Sequence, residues 1–207
     1  MTTRGVVPTQ PADDDQGGGE RTRAGVIDVT VQIVLSEGIA AASGRHIADT
    51  ARVGWEVIQD YFGDRDGLLM AVVERGFGQL LDALESLPAI TANTGTRHRV
   101  EAVVSSAWQA MCSPVARAAT EILIGTRASR GAAATGHMKR LGETFSTLGD
   151  AIDRTLAVTP GAAVGEHLLT SLRGMVANQL VMHRTIDTTQ DRRRLVDILS
   201  CYIDANQ

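Results

Sequence analysis

Between Ile47 and Leu69 the chain reads IADTARVGWEVIQDYFGDRDGLL, and this stretch restricts the possible architectures more than any other. Ile47, Ala48 and Ala51 give an apolar stripe at helical spacing, Val53 follows in a turn, and Val57, Ile58, Tyr61 and Phe62 give a second, inward-facing stripe. Two very short helices are predicted. Nucleation disfavours isolated helices below roughly 12 residues, so both must rest on longer neighbours. Gly63-Asp64 then ends the second helix and starts another, with Asp64 as N-cap and Asp66 in the first turn facing the helix dipole. Helix, tight turn and exposed helix is the layout that carries a reading face into a DNA major groove.

These residues carry a family resemblance. An Ile-Ala pair, a following Ala and Val, an aromatic pair ending in Phe, a basic residue and a Leu are matched here by Ile47, Ala48, Ala51, Val53, Phe62, Arg65 and Leu68. Gly38 and Ser43 stand at the helix-ending Gly and the hydroxyl cap. From about Arg21 to Leu69 the chain resembles the DNA-binding domain of the TetR family of transcriptional regulators. The chain departs from that family pattern at three points: Arg52 replaces the turn Gly, Gly54 replaces a Ser, and Gln59 replaces an aromatic residue that commonly touches a phosphate.

Ser43 is the expected N-cap of the second helix, with Arg45 in its first turn, and a helix N-terminus carrying a hydroxyl and an Arg suits a phosphate. As plain caps they would look the same. The third helix is the expected reader, leaving Gly54, Trp55, Glu56, Gln59 and Asp60 outward. Trp55 can contact a thymine methyl or the sugar-phosphate edge, Gln59 can pair with adenine, and Glu56 can accept from cytosine. Glu56 and Asp60 would repel phosphates and so must point at bases or away from the backbone. Arg65, at the family's basic position, is the expected phosphate contact. Between Glu20 and Gly67 the head is net acidic: Arg21, Arg23, Arg45, Arg52 and Arg65 face Glu20, Asp28, Glu37, Asp49, Glu56, Asp60, Asp64 and Asp66. Binding should therefore be weak or salt-sensitive.

Residues 1–20, with Pro8, Pro11, Asp13 to Asp15 and Gly17 to Gly19, have a composition that buries no core, and a disordered N-terminal arm is expected. A first helix from Arg21 buries Ile27, Val31, Val34 and Leu35 and stops at Gly38; Arg21 and Arg23 at its start are either solvated or near something anionic. After the fourth helix, about 64–87, further helices are expected over about 97–112, 115–129 and 133–158, with a loop over 89–95. The last two helices, over about 162–204, are striped by Val164, Leu168, Leu172, Met175, Val176 and Leu180, and by Leu195, Ile198, Leu199 and Tyr202. They resemble the pair through which TetR regulators form a homodimer. Arg192 to Arg194 are read as a solvated face.

The 207 residues carry a net charge of −4, against the basic footprint usual for nucleic-acid binding, although a helix-turn-helix dimer needs only local phosphate contacts. Only Cys112 and Cys201 occur, far apart in apolar contexts, which fits a reducing cytoplasm rather than a disulfide scaffold. The N-terminus lacks a signal-peptide pattern, and no segment approaches the ~18 apolar residues of a membrane span. Metal, nucleotide and nucleophile motifs are missing, and Lys139 is the sole lysine. No enzyme activity, cofactor or metal is expected.

The fold class expected is all-α: a helix-turn-helix DNA-binding domain over 21–67 and a helical ligand-binding and dimerisation domain over 68–207. The resemblance implies a ligand-responsive repressor, binding a palindromic double-stranded DNA operator as a dimer and released by a small-molecule inducer. Phe77, Trp108, Met111, Met138, Phe145 and Met175 are the candidate pocket walls, with Arg173 or His137 as anchors if buried; each taken singly is ordinary core. The alternative is a small-molecule sensor of the same fold that has lost DNA binding.

Overall fold

A computed structural model describes residues 13–86, 94–129, 134–159, 161–182 and 186–206. Among these there are helices and no strand: α1 (Asp13–Glu37), α2 (Gly44–Ala51), α3 (Trp55–Phe62), α4 (Arg65–Glu85), α5 (Thr96–Met111), α6 (Pro114–Gly125), α7 (Ala134–Leu156), α8 (Val164–Val181) and α9 (Thr189–Ala205). The all-α architecture is as expected. The expected 89–95 loop falls largely outside the described residues, and the helix expected to reach 129 stops at Gly125, capped by Thr126.

The first helix begins two turns earlier than expected, so part of the presumed arm is helical. Residues 1–12 lie outside the described set; the segment from Asp13 is continuous with α1. One feature of the packing favours this: Gly19 leaves room for the Tyr61 hydroxyl, 2.8 Å from where a Cβ would stand. Arg21 and Arg23 are consequently inside the helix rather than at its start. Arg23 lies 5.4 Å from the Phe62 ring centroid, a cation–π contact that accounts for it without any anion.

Two apolar clusters organise the rest. The first gathers Val26, Ile27, Val31, Ile33 and Val34 of α1, Ile47 and Ala48 of α2, Ile58 of α3, Leu68 to Val73 of α4, and Val115, Ala118, Ala119 and Ile122 of α6. The burial of Ile33 and Thr30 along with the predicted stripe follows from this: α1 has the head helices on one side and α6 on the other. Thr30 satisfies its buried hydroxyl on the Val26 carbonyl at 2.8 Å. The second cluster takes Leu80 and Leu84 of α4 with α5, α7, α8 and α9. Helix α4 therefore runs from one core into the other. At the first α4–α6 crossing, Gly76 leaves no side chain between the helices; a Cβ there would lie 3.2 Å from that of Ala119.

Arg52, where the family pattern has Gly, caps α2 in the left-handed region (φ 56°, ψ 40°), its N–H directed at Ala48 O and Asp49 O. A side chain there costs ~1–2 kcal/mol, against a loss of ~0.4–1 kcal/mol from the freer unfolded chain of glycine. Arg52→Gly should thus stabilise the protein by roughly 0.5–1 kcal/mol, seen as a rise in the urea midpoint at unchanged slope.

Candidate nucleic-acid interface

The α2–α3 pair is presented outward by α1 and α4. Ser43 caps α2, its hydroxyl accepting from the His46 N–H at 3.3 Å, and His46 Nε2 meets Glu37 at 3.1 Å, fixing α2 to the end of α1. Arg45 is almost fully exposed and only loosely paired with Asp49, at 3.8 Å. On α3, Ile58 is the residue fully buried, while Glu56, Gln59 and Asp60 face solvent. The expected inward stripe is narrower than the sequence suggests: Val57 and Phe62 are half-buried and Tyr61 is 39% exposed. Its hydroxyl rests against α1 at Gly19 instead.

Trp55 and Arg65 depart from expectation. Trp55 is half-buried and packs on the first core, its ring lying over Gly44; a Cβ there would come within 2.7 Å of Cη2. The seat exists because the first residue of α2 has no side chain. Arg65 donates from Nε to Ala42 O at 2.6 Å and from Nη2 to Ile39 O at 3.0 Å, with Nη1 3.5 Å from Asp66. Its guanidinium ties the start of α4 to the turn between α1 and α2, which occupies donors that a phosphate would need. Even so, an open cleft of ≈ 450 Å³ at the α2–α3 junction brings together Arg45, Gly54, Trp55 and Arg65.

Glu56 has a local effect that its sequence position does not reveal. Its carboxylate folds back toward Gly54, the N-cap of α3, into the space that a Cβ there would take. The helix dipole favours a carboxylate there. It also puts a negative charge at the end of α3 where an anion would otherwise be welcome.

The candidate pocket residues divide into groups, Phe77 packing on the first core and Trp108, Phe145 and Met175 on the second. Phe77 and Phe145 meet edge to face at 4.7 Å, and the Arg173 guanidinium lies 3.9 Å from the Phe145 centroid. Arg173 itself is exposed, so the burial expected of an anchor is not met; partial desolvation lowers its pKa, opposed by Glu166, and an arginine stays charged all the same. Met111 is buried, and Trp108 and Met175 are half-buried in the second core. Trp108 instead receives Arg192 at 5.0 Å. Met138 is 38% exposed, so it is a surface residue rather than an inner wall. The His137 side chain lies outside the described residues. Burial pushes the Cys112 thiol up, with Arg117 and Arg192 opposing, which keeps it protonated and unreactive.

The fold matches solved structures over most of its length. The multidrug binding protein EbrR, solved with imidazole, superposes with a TM-score of 0.65 at 16% identity, over 96% of this chain and 97% of that one. A regulatory protein of the tetR family from Rhodococcus RHA1 gives 0.64 at 13%, over 88% and 97%. The chain has the TetR-family fold.

No family model matches the sequence. Curated relatives named HTH-type transcriptional regulator BetI match more narrowly: 32% identity over 91 residues in Paraburkholderia phytofirmans, 44% of this chain and 46% of that protein. The Rhizobium meliloti protein gives 28% over 88 residues, 42% of each. The chain thus spans under half the length of the curated relatives it matches. Within the TetR fold, the departures at Arg52 and Gly54 fall at the α2–α3 turn and Gln59 falls on the outer face of α3. Among the described residues no helix is long and apolar enough to cross a membrane.

Proposed function

We propose that this chain is a ligand-responsive DNA-binding transcriptional regulator, a repressor that binds a palindromic operator as a homodimer and is released by a small-molecule inducer. The observation that carries the reading is the α2–α3 pair held outward at one end of α4, whose other end is embedded in the second core. The names of the curated relatives support the regulatory part. Gln59 is the base reader, and the α2 N-terminus with Ser43 and Arg45 meets the phosphate backbone. Arg65 acts as a positioning residue. The inducer sits among Phe77, Phe145 and Arg173, where an apolar wall meets a cation. Dimerisation runs through α8 and α9. Two heads related by a two-fold axis would read half-sites ~34 Å or a multiple apart. A mobility-shift titration over the upstream region of its own operon, at several salt concentrations, tests the reading. Gln59→Ala should alter preference between sequences rather than overall affinity.

A second reading, a sensor of this fold that no longer binds DNA, draws on the acidic head and on Glu56 at the start of α3. The two readings part on Glu56→Gln. A DNA-binding head should gain about threefold to fivefold in affinity at low salt, a gain that fades as salt screens it. If neither the parent nor Glu56→Gln shifts operon DNA even at low salt, the sensor reading stands.

A further inference from the structure

We propose that the cleft between α5 and α9 binds a small oxyanion-bearing molecule, a carboxylate or a phosphate ester, held by Arg192 and Arg193. The open cleft has a volume of ≈ 240 Å³ and is lined by Arg97, Arg192, Arg193 and Thr189 against a single carboxylate, Glu101, with Ser105 contributing a hydroxyl and Val104 and Val196 an apolar floor. At ~30 Å³ per water this is room for a small metabolite.

The nearby acids are largely spoken for. Arg97 already holds both Asp197, at 2.6 Å, and Glu101, at 3.1 Å. Asp191 meets Arg194 at 3.8 Å. Asp187 is fixed by the Thr189 hydroxyl and N–H, which hold it below the usual carboxylate range, with Arg192 and Arg193 adding to the effect. That leaves Arg193 with no carboxylate at ion-pair distance among the described residues. Arg192 is backed by the Trp108 ring at 5.0 Å and touches Thr189 Oγ1 at 3.4 Å, and its Nε is buried with no acceptor among the described residues. Two guanidinium groups that hold no carboxylate among the described residues, beside the Ser105 hydroxyl and above an apolar floor, suit a planar or tetrahedral oxyanion attached to a short apolar body. The cleft shares none of the exposed apolar residues Val181, Met182, Ile198 and Tyr202, and it is apart from the Phe77, Phe145 and Arg173 group.

Trp108 supplies the reporter. In a Trp55→Phe background it is the sole tryptophan, and its emission can be followed during separate titrations with butyrate and inorganic phosphate, with chloride holding ionic strength constant. At least one probe should give a saturable change together with a rise in Tm. A response to butyrate alone identifies a carboxylate ligand, and a response to phosphate alone a phosphate ester. Arg193→Gln should weaken the apparent affinity at least tenfold with the ligand-free Tm unchanged, Ser105→Asp should abolish binding by placing a like charge in the cleft, and Lys139→Gln should change nothing. Absence of saturation with both probes, or Arg193→Gln and Ser105→Asp titrating like the parent, overturns the proposal.

Discussion

Arg65→Ala should cost the protein about 2–3 kcal/mol of stability, from the loss of charge-assisted hydrogen bonds worth ~1.5–3 kcal/mol each, discounted because the side chain remains 35% exposed. The bonds to Ala42 O and Ile39 O hold carbonyls of the turn that sets where α2 begins, so the reading pair should lose its fixed position. DNA affinity should then fall for every sequence, in step with the stability. Arg65→Lys discriminates between the two roles. A single ammonium keeps the charge but cannot reproduce the planar fork that reaches two carbonyls, and a positioning role predicts that lysine recovers less than half of the lost stability and little of the lost affinity. Full recovery of affinity by lysine, with stability untouched in the alanine variant, would mean that the cation acts directly on a phosphate. Urea unfolding and mobility shifts on the same three proteins read both quantities.

The contrast between Arg65 and its neighbour Asp64 explains what was legible in the sequence and what was not. Asp64 caps α4 as predicted, accepting from the Gly67 N–H at 2.7 Å, because a cap is a contract between residues three apart. The acceptors of Arg65 lie 23 and 26 residues back, in a turn whose position depends on the whole head. The same distinction holds elsewhere. Ser43, the α7 to α9 boundaries and the apolar stripe of α8 follow from local periodicity and capping. The half-burial of Trp55 depends on Gly44 in another helix, and Gly19, near the start of α1, meets Tyr61 in a third. Composition alone put Gly17 to Gly19 outside any helix; tertiary packing overrode it. The candidate pocket residues share a sequence signature of large apolar side chains, but which of them meet is set by helix crossings. Phe77 and Phe145 find each other, and Trp108 goes to Arg192.

Ile198→Glu should convert a dimer into a monomer. Val181, Met182, Ile198 and Tyr202 are large apolar residues left exposed on α8 and α9, Val181 at 72% and Ile198 at 66%, whereas the opposite face of α9 buries Val196, Leu199 and Ile203 in the second core. Lone exposed apolar residues are ordinary; Ile198 and Tyr202, one turn apart on α9, make an apolar patch of the kind that marks a protein interface, with Val181 and Met182 exposed at the far end of α8. A self-complementary two-fold contact would bring each patch against its twin, and a carboxylate introduced there would be buried facing its own symmetry mate. Burying unpaired like charges costs several kcal/mol, so self-association should weaken by about 100-fold or more, at ~1.4 kcal/mol per factor of ten. Because the second head then no longer binds as part of the same molecule, affinity for a full palindrome should drop by roughly 100-fold or more, with binding to an isolated half-site and the unfolding midpoint of the monomer little changed. Sedimentation velocity and mobility shifts on full-site and half-site DNA measure the two consequences separately. If the parent protein sediments as a monomer at working concentration, or Ile198→Glu remains a dimer, the twofold reading head is wrong, and the palindromic operator falls with it.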